Sequence, residues 1–572
     1  MYIVEAYRDE AGKPTHRIVE KLGKVSHLAA DDADWRAKAE ARVVELTAAR
    51  QSTRGIVAYD LGEPADPAGV LNAGWLLADA GFDQLGLSSW LRRRGRELGW
   101  TVDVESILRF LVVSRLVWPG SKRATVANAD RLWAGPGVSL DRVYRALDYL
   151  CDQSVRIQSR ARAALAGHGE KLQCVFYDVT NYFFEIDQPD APGGDHEPAR
   201  GKVSRRRGWS KEHRQSPIVQ MGLFMDQTGM PVSYRLFHGS TPDASTLQGA
   251  LSEFKQQFAG PKVTVVADSA MNNQANLAML DSAGDGWILA ASIRQTTQAL
   301  RDWVLDPNDW SHQMDDDGRV ASMTKSKIHT RTIKYKDHEG RIVRKKITEK
   351  VVAHWSGAYA AREQATRAEM AAKATALISD PSAFKASNRR GVKKYVKTEQ
   401  VDPSTGLLSN INPVLSLDQD KLAADSLLDG YWLLHTSQVE VTDAALLNQY
   451  RQLWRIEENF RVSKTDLHTR PVYVWTPEHV EAHFLICFLA LVITRVLQQH
   501  AGGLPAGKLC ELLTQLVVTE ASNGIYLTGR PTDWDTIDQA TGVDTNHKWV
   551  TTTQLRAWRR AWTGHLTNHL PT

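Results

Sequence analysis

Two stretches of this chain read as apolar strands with an aspartate set among or just after the apolar residues. CVFYDVTNYFFEI, from Cys174, is dense in β-branched and aromatic residues and holds Asp178. KVTVVAD, from Lys262, is a short apolar run that ends on Asp268. An unpaired carboxylate near a core is costly to bury, so each Asp needs a compensating partner. Two strand-end carboxylates can meet on neighbouring strands, where a bound cation offsets their repulsion. Hard oxygen ligands of this kind suit magnesium or manganese. The other reading is local, with each Asp capping a turn or the following helix.

The flanking segments place these strands in an α/β domain. IVQMGLFMDQTGMPVSYRLF (Ile218 to Phe237) predicts an antiparallel hairpin turning at Gln227-Thr228-Gly229. Asp243 to Phe258 predicts a capped amphipathic helix, Asn272 to Leu280 a second helix, and GWILAAS a strand. From about residue 300 to 430 the texture changes. KIHTRTIKYK and GRIVRKKITEKVVAHW read as strands around a turn at His338-Glu339-Gly340, and a helix follows over Ala358 to Leu377. GYWLLHTS (Gly430 to Ser437) is again a sheet strand, and a long helix is expected from Asp443 to about Lys464. The pattern is an α/β core interrupted by a mostly β insertion and then resumed. Deleting roughly Asp302 to Asp425 should leave much of the core folded.

That last helix carries a third candidate group. In YRQLWRIEENFRVSKTDL, a helix sets Tyr450, Glu457 and Lys464 along one side, seven residues apart. Glu457 would complete a three-carboxylate site, Lys464 would hold a phosphate, and Tyr450 would stack on a base or donate to a phosphate. Arg455, Arg461 and Arg470 add positive charge. The competing reading is a surface helix held by Glu458–Arg461 and Glu457–Arg461 pairs.

A chain of 572 residues is too long for one core, so two to four domains are expected. Residues 1–60 read as a small module, with a strand and Gly turn within Thr15 to Val25 and a helix over Asp31 to Arg50. Residues 61–168 read as helical, a candidate DNA-end-binding domain; Val104 to Trp118 should be a buried helix stopped by Pro119 and Gly120. Ser139 is a plausible N-cap for a helix with the stripe Leu140, Val143, Leu147 and Leu150, flanked by Arg142 and Arg145. That helix either reads DNA or packs in a bundle. Residues 169–301 and 426–500 form the two parts of the core around an insertion at 302–425, and 501–572 read as a C-terminal helical region.

No run of eighteen apolar residues occurs, and the start has no signal-peptide character. The longest apolar stretch, His483 to Leu497, is too short and interrupted for a span and reads as a buried helix. Cys151, Cys174, Cys487 and Cys510 lack metal or redox spacing and read as buried thiols in a reducing, cytoplasmic setting. A net charge of +4 permits nucleic-acid binding without arguing for it. Positive residues nevertheless cluster: Arg200, Lys202, Arg205, Arg206, Arg207, Lys211 and Arg214; Lys325 through Lys350; and Arg389, Arg390, Lys393, Lys394 and Lys397. Such groups favour salt-dependent phosphate contact.

Taken together, VFYDVTNYFFE, GLFMDQTGMPVSYRLFHGSTPDASTL, VVADSAM and the Tyr450 segment resemble the DDE transposases of bacterial insertion sequences. Within these, the chain is similar to the large group named after insertion sequence four, in a branch of long members. The resemblance implies a ribonuclease-H-like core with Asp178, Asp268 and Glu457 as catalytic triad. It implies magnesium, with manganese able to substitute, as two ions. The family's last motif is Tyr, two residues, Arg, three residues, Glu, six residues, Lys; Tyr450, Glu457 and Lys464 match it, whereas Leu453 stands at the Arg position. Glu458 is the fallback for the Glu. DNA-binding residues would be Tyr450, Arg455, Arg461, Lys464, Arg205, Arg206, Arg207, Lys393 and Lys394. In relatives the insertion helps to hold the DNA end, and Trp287, Trp310 and Trp355 are candidates for an aromatic contact there. The expected partners are double-stranded DNA with terminal inverted repeats and target DNA, bound by a homodimer on paired ends in the bacterial nucleoid, with no membrane. The alternatives are a metal-dependent nuclease without strand transfer, and a non-catalytic DNA-binding protein derived from a transposase.

Overall fold

Leu140–Leu165 (α1) leads to Cys174–Phe183 (β1), a strand buried at every position except Asp178. β1 belongs to a nine-stranded sheet in the computed structural model. The structure describes residues 1–8, 14–31, 34–49, 56–59, 69–166, 172–190, 203–209, 215–260, 262–336, 339–379, 390–401, 408–522 and 524–569. The other strands of this sheet are Ile218–Asp226 (β2), Pro231–His238 (β3), Thr264–Ala267 (β4), Gly286–Ala291 (β5), Ser311–Met314 (β6), Val320–Lys336 (β7), Ile342–Ser356 (β8) and Tyr431–Thr436 (β9). Their spatial order is β6-β7-β8-β9-β5-β4-β1-β2-β3.

β1, β2 and β3 form an antiparallel meander whose second turn uses Gly229 at φ +93°, a conformation that favours glycine. β4 runs parallel to β1 and β5 parallel to β4. Helix Asp243–Gln257 (α2) precedes β4, and Gln274–Ala283 (α3) precedes β5. This order, β3-β2-β1-β4-β5, is the ribonuclease-H-like arrangement. Successive side chains of β1 alternate between two cores. Val175, Tyr177 and Val179 pack with α2 and α3, whereas Phe176 and Tyr182 join a larger cluster on the opposite face. That cluster contains α1 and helix Pro477–His500. The latter has 24 residues, so the expectation that its apolar run is too short for a span is corrected on length. It is long and apolar enough to cross a membrane, yet 94% of its most apolar window is buried inside protein.

The insertion is built into this sheet. β8 pairs with β9 from Lys350 to Trp355, and β9 pairs with β5. Buried Glu349 of β8 binds Arg331 of β7 at 2.7 Å and His435 of β9 at 2.8 Å. Removing the insertion would take from β9 the strand that satisfies its outer edge. Beyond β8 come helix Gly357–Ile378 and a ribbon of Val396–Val401 with Leu408–Leu417.

At the N-terminus, Pro14–Lys21, Tyr2–Arg8 and Ile56–Tyr59 form a three-stranded sheet in that order, beside helix Trp35–Ala49. Helix Val104–Val117 is largely buried, as expected; of the predicted α1 stripe Val143, Leu147 and Leu150 are buried and Leu140 is half-buried, and α1 packs against Pro477–His500 as part of a bundle. One hydrophobic cluster runs from Ala73 to Leu566, joining the early helices to the C-terminal region. Arg559 bridges Asp79 at 2.5 Å and Asp83 at 2.7 Å across that contact. The C-terminal region, expected to be helical, also supplies strands Val517–Ser522, Ile525–Gly529 and Trp549–Thr551, and the first pairs with Val70–Asn72. Val517, Val518 and Thr519 are β-branched, which favours the pleated surface. All four cysteines are buried, and none is in a disulfide.

Candidate active site

Tyr177 pairs with Ala267 in the parallel register of β1 and β4. The next residues, Asp178 and Asp268, therefore stand side by side and lean to the same face, on strands about 4.8 Å apart. Asp178 Oδ1 accepts from its neighbour's backbone, Val179 N, at 2.7 Å. Asp268 lies just past β4, and its Oδ1 accepts from Ala270 N at 3.0 Å, capping the turn Ser269–Met271. The local role of Asp268 is thus present, and it occupies one of the two oxygens of the carboxylate.

The expected long helix is broken into Asp443–Arg451, Trp454–Arg461 and a π-helical turn, Val462–Asp466. Backbone bonds of Gln452 to Gln449 and Leu453 to Tyr450 tighten the chain at the first break. The π turn then widens it, a feature frequent at functional sites. No Gly or Pro marks either irregularity. Both hold side chains against β1 and β9. Lys464 Nζ donates to Thr180 Oγ1 at 2.8 Å and lies 5.4 Å from the Tyr182 ring centre. Tyr450 stacks obliquely on Trp432 of β9, with ring centres 5.3 Å apart.

The Tyr450 phenol lies in the field of several negative charges. Its pKa is raised by burial first, then by the charges of Asp268, Glu457 and Asp178. All three carboxylates therefore lie close enough to act on one hydroxyl. Glu458 is turned away, to Arg495 at 3.4 Å and Arg461 at 3.9 Å. Arg461 also approaches Asp466 at 3.6 Å, and the expected Glu457–Arg461 pair does not form. Among the described residues, no three His, Cys, Asp or Glu side chains are drawn close enough to enclose a single ion. The all-carboxylate donor set nevertheless has the chemistry for a hard divalent cation, and the adjacent Asp178 and Asp268 are the pair placed to share one.

Several expected phosphate contacts are already engaged within the protein. Arg205 binds Asp190 at 2.5 Å, and Arg207 Nη2 donates to the Asp187 carbonyl at 2.8 Å. Lys394 binds Asp425 at 3.0 Å. These carboxylates, distant or unremarked in sequence, already share the charges of Arg205 and Lys394. Arg206 and Lys393 are half-buried. In the cluster from Lys325 to Lys350, Lys325 donates to the Asp306 carbonyl, Lys345 binds Asp281 at 2.6 Å and Lys350 binds Asp443 at 2.7 Å. Arg200, Lys202, Lys211, Arg214, His338 and Arg389 lie outside the described residues, as does the side chain of Arg390. Arg455 reaches the β2–β3 turn, where its Nη1 donates to the Gln227 carbonyl at 3.2 Å.

Trp287 is buried, and Trp310 and Trp355 donate to the carbonyls of Asp306 and Asp429. The exposed tryptophans are Trp209, Trp454 and Trp475, which sequence reasoning passed over. Arg495 was also missed, hidden in an apolar helix; its only signal was a charge within that run.

The family described as transposase DDE domain matches residues 184–493. Asp268, Tyr450, Glu457 and Lys464 fall within that span, and Asp178 precedes it. No curated protein sequence matches the chain. Among solved structures, it is similar to the cryo-EM structure of a piggyBac transposase synaptic complex with hairpin DNA, at 9% identity and a TM-score of 0.31, over 82% of this chain and 78% of that one.

Proposed function

The chain belongs to the transposase DDE domain family, and from that membership we propose that it binds the ends of a bacterial insertion sequence of the group named after insertion sequence four, cleaves them and joins them to target DNA. The observation that supports this reading is the parallel register that sets Asp178 beside Asp268, with Glu457 near enough to raise the Tyr450 pKa together with them. These three carboxylates would hold magnesium or manganese, in the two-ion arrangement common to phosphodiester chemistry. Bound ions would supply an activated nucleophile and screen the charge that develops on the phosphate and the leaving 3′-oxygen.

The protein's own groups supply position and charge. Asp178 would be the shared ligand, since its strand contacts the helix that carries Glu457 and pairs with the strand that precedes Asp268. Tyr450, with its proton held on by burial and by the carboxylates, remains a hydrogen-bond donor across the physiological range. Lys464, tethered to Thr180 two residues beyond Asp178, would meet a phosphate oxygen. Paired terminal inverted repeats held by a homodimer are part of the same proposal.

The test is cleavage and strand transfer on paired-end DNA with magnesium. Both products are expected from one enzyme preparation. Cleavage without joined product would make the protein a nuclease, and DNA binding with neither product would make it a non-catalytic derivative.

A further inference from the structure

Helix Trp454–Arg461 has two flanks. Glu457 lies on the one shared with Tyr450 and Lys464. Arg455 and Glu458 lie on the other, lining a cleft of about 230 Å³ between the β2–β3 turn and helix Pro477–His500. Arg495 enters this cleft from Pro477–His500 with its side chain 12% exposed. Its position is set by Asn459 Oδ1 at 2.7 Å, Gln498 Oε1 at 2.7 Å and Glu458 Oε1 at 3.4 Å. Its Nη2 is buried and has no hydrogen-bond partner among the described residues. Arg455 lies against Gly229, where an added Cβ would stand 3.3 Å from Arg455 Cδ, and the glycine is held at φ +93°. The turn is therefore shaped to let the guanidinium reach the cleft. Trp454 forms an exposed rim.

Charge is unbalanced here. Glu458 is the acidic group lining the cleft, against Arg455 and Arg495. Arg461, the nearby third guanidinium, is shared between Glu458 and Asp466. Two guanidiniums lining one cleft against a single carboxylate are the arrangement that receives an oxyanion; a guanidinium fork matches phosphate oxygens. The aromatic rim adds a face for a sugar or base.

We propose that this cleft binds a backbone phosphate of DNA, as an anchoring point separate from the carboxylate site and on the opposite flank of the same helix. The inference rests on the DNA reading given above. A strand crossing the ridge at Trp454 and Arg461 passes from the flank of Glu457 to the flank of Arg495, so one helix would grip DNA on both sides of the cut.

The test is binding of full-length protein to a labelled duplex without divalent metal, measured by fluorescence anisotropy over a range of salt. Arg455→Gln should weaken binding about 5- to 10-fold and reduce the slope of log affinity against log salt by about 1. Trp454→Ala should weaken binding and leave the slope unchanged. Lys373→Gln, on an exposed face of the insertion helix, should match the unsubstituted protein. Equal affinity and slope for Arg455→Gln and Trp454→Ala, with normal binding by the unsubstituted protein, would overturn this site alone. Failure of the unsubstituted protein to bind the duplex would overturn the proposed function with it. Displacement of the duplex by inorganic phosphate, but not by chloride of equal ionic strength, would reassign the cleft to a free anion and overturn the backbone reading.

Discussion

Lys464 Nζ donates to Thr180 Oγ1 at 2.8 Å, tying the π-helical turn to the strand that carries Asp178. Thr180 is two residues beyond Asp178 and leans to the same face of the sheet. A shift of that turn would therefore move the lysine relative to the carboxylates. Lys464→Met should lower end cleavage about 10- to 100-fold, as loss of an orienting group does, while ligands and fold persist. Thr180→Val should give a smaller loss. The double variant should resemble Lys464→Met, because the threonine acts through the lysine; full additivity in single-turnover cleavage would show that the bond has no positioning role.

The carboxylates should separate chemistry from binding. Asp178→Asn, Asp268→Asn and Glu457→Gln keep size and remove charge. Each should reduce cleavage and strand transfer by at least about 100-fold, the scale of losing one strong stabiliser of a charged transition state. Duplex binding should persist and stay salt-dependent. Asp268→Asn keeps an oxygen for Ala270 N, so its melting temperature should hold, whereas Asp268→Ala loses the cap at a cost of about 1 kcal/mol. Full cleavage by all three amide variants would remove the site from these residues, and Glu458→Gln serves as the comparison for the helix.

Glu349 should behave as a structural keystone between insertion and core. Glu349→Ala leaves Arg331 and His435 facing each other without the carboxylate that joins them. Breaking such a buried network costs about 3–5 kcal/mol, less whatever solvent recovers at the partly exposed Arg331. Deleting residues 302–425 should cost more, giving aggregated or unfolded protein. A soluble deletion variant with an undiminished melting temperature would show that β9 needs no outer neighbour.

Stability should also depend on pH through Lys122. This amine is buried, 3.4 Å from His483 Nδ1, and burial, then the nearby Arg115, lowers its pKa from 10.5 to about 7. The unfolded chain binds this proton more tightly, so the contribution to stability falls as pH drops from about 10.5 to about 7, and is level below that. Lys122→Met should abolish the dependence and stabilise the fold at neutral pH by about 1–4 kcal/mol. Melting temperatures of both proteins across that range provide the check; parallel curves would place the titration elsewhere.

By itself, the sequence determined the candidate residues and the class of fold. Asp178 and Asp268 were legible because each is a carboxylate in an apolar strand, and Tyr450, Glu457 and Lys464 because their spacing repeats along a helix. Apolar strands alternating with capped helices are local patterns, so the α/β core was legible too. Only the tertiary structure decided the register that sets Tyr177 beside Ala267, since pairing between distant segments depends on how the whole sheet packs. The breaks on either side of Glu457 carry no Gly or Pro to announce them, because contacts with β1 and β9 impose them. Which positive charges stay available was likewise undecided. Arg205 and Lys394 are engaged by Asp190 and Asp425, while Arg495, inside an apolar run, reaches a cleft that exists only once the β2–β3 turn meets two helices. Charge is written in sequence, but its compensation depends on what the fold brings within a few ångströms.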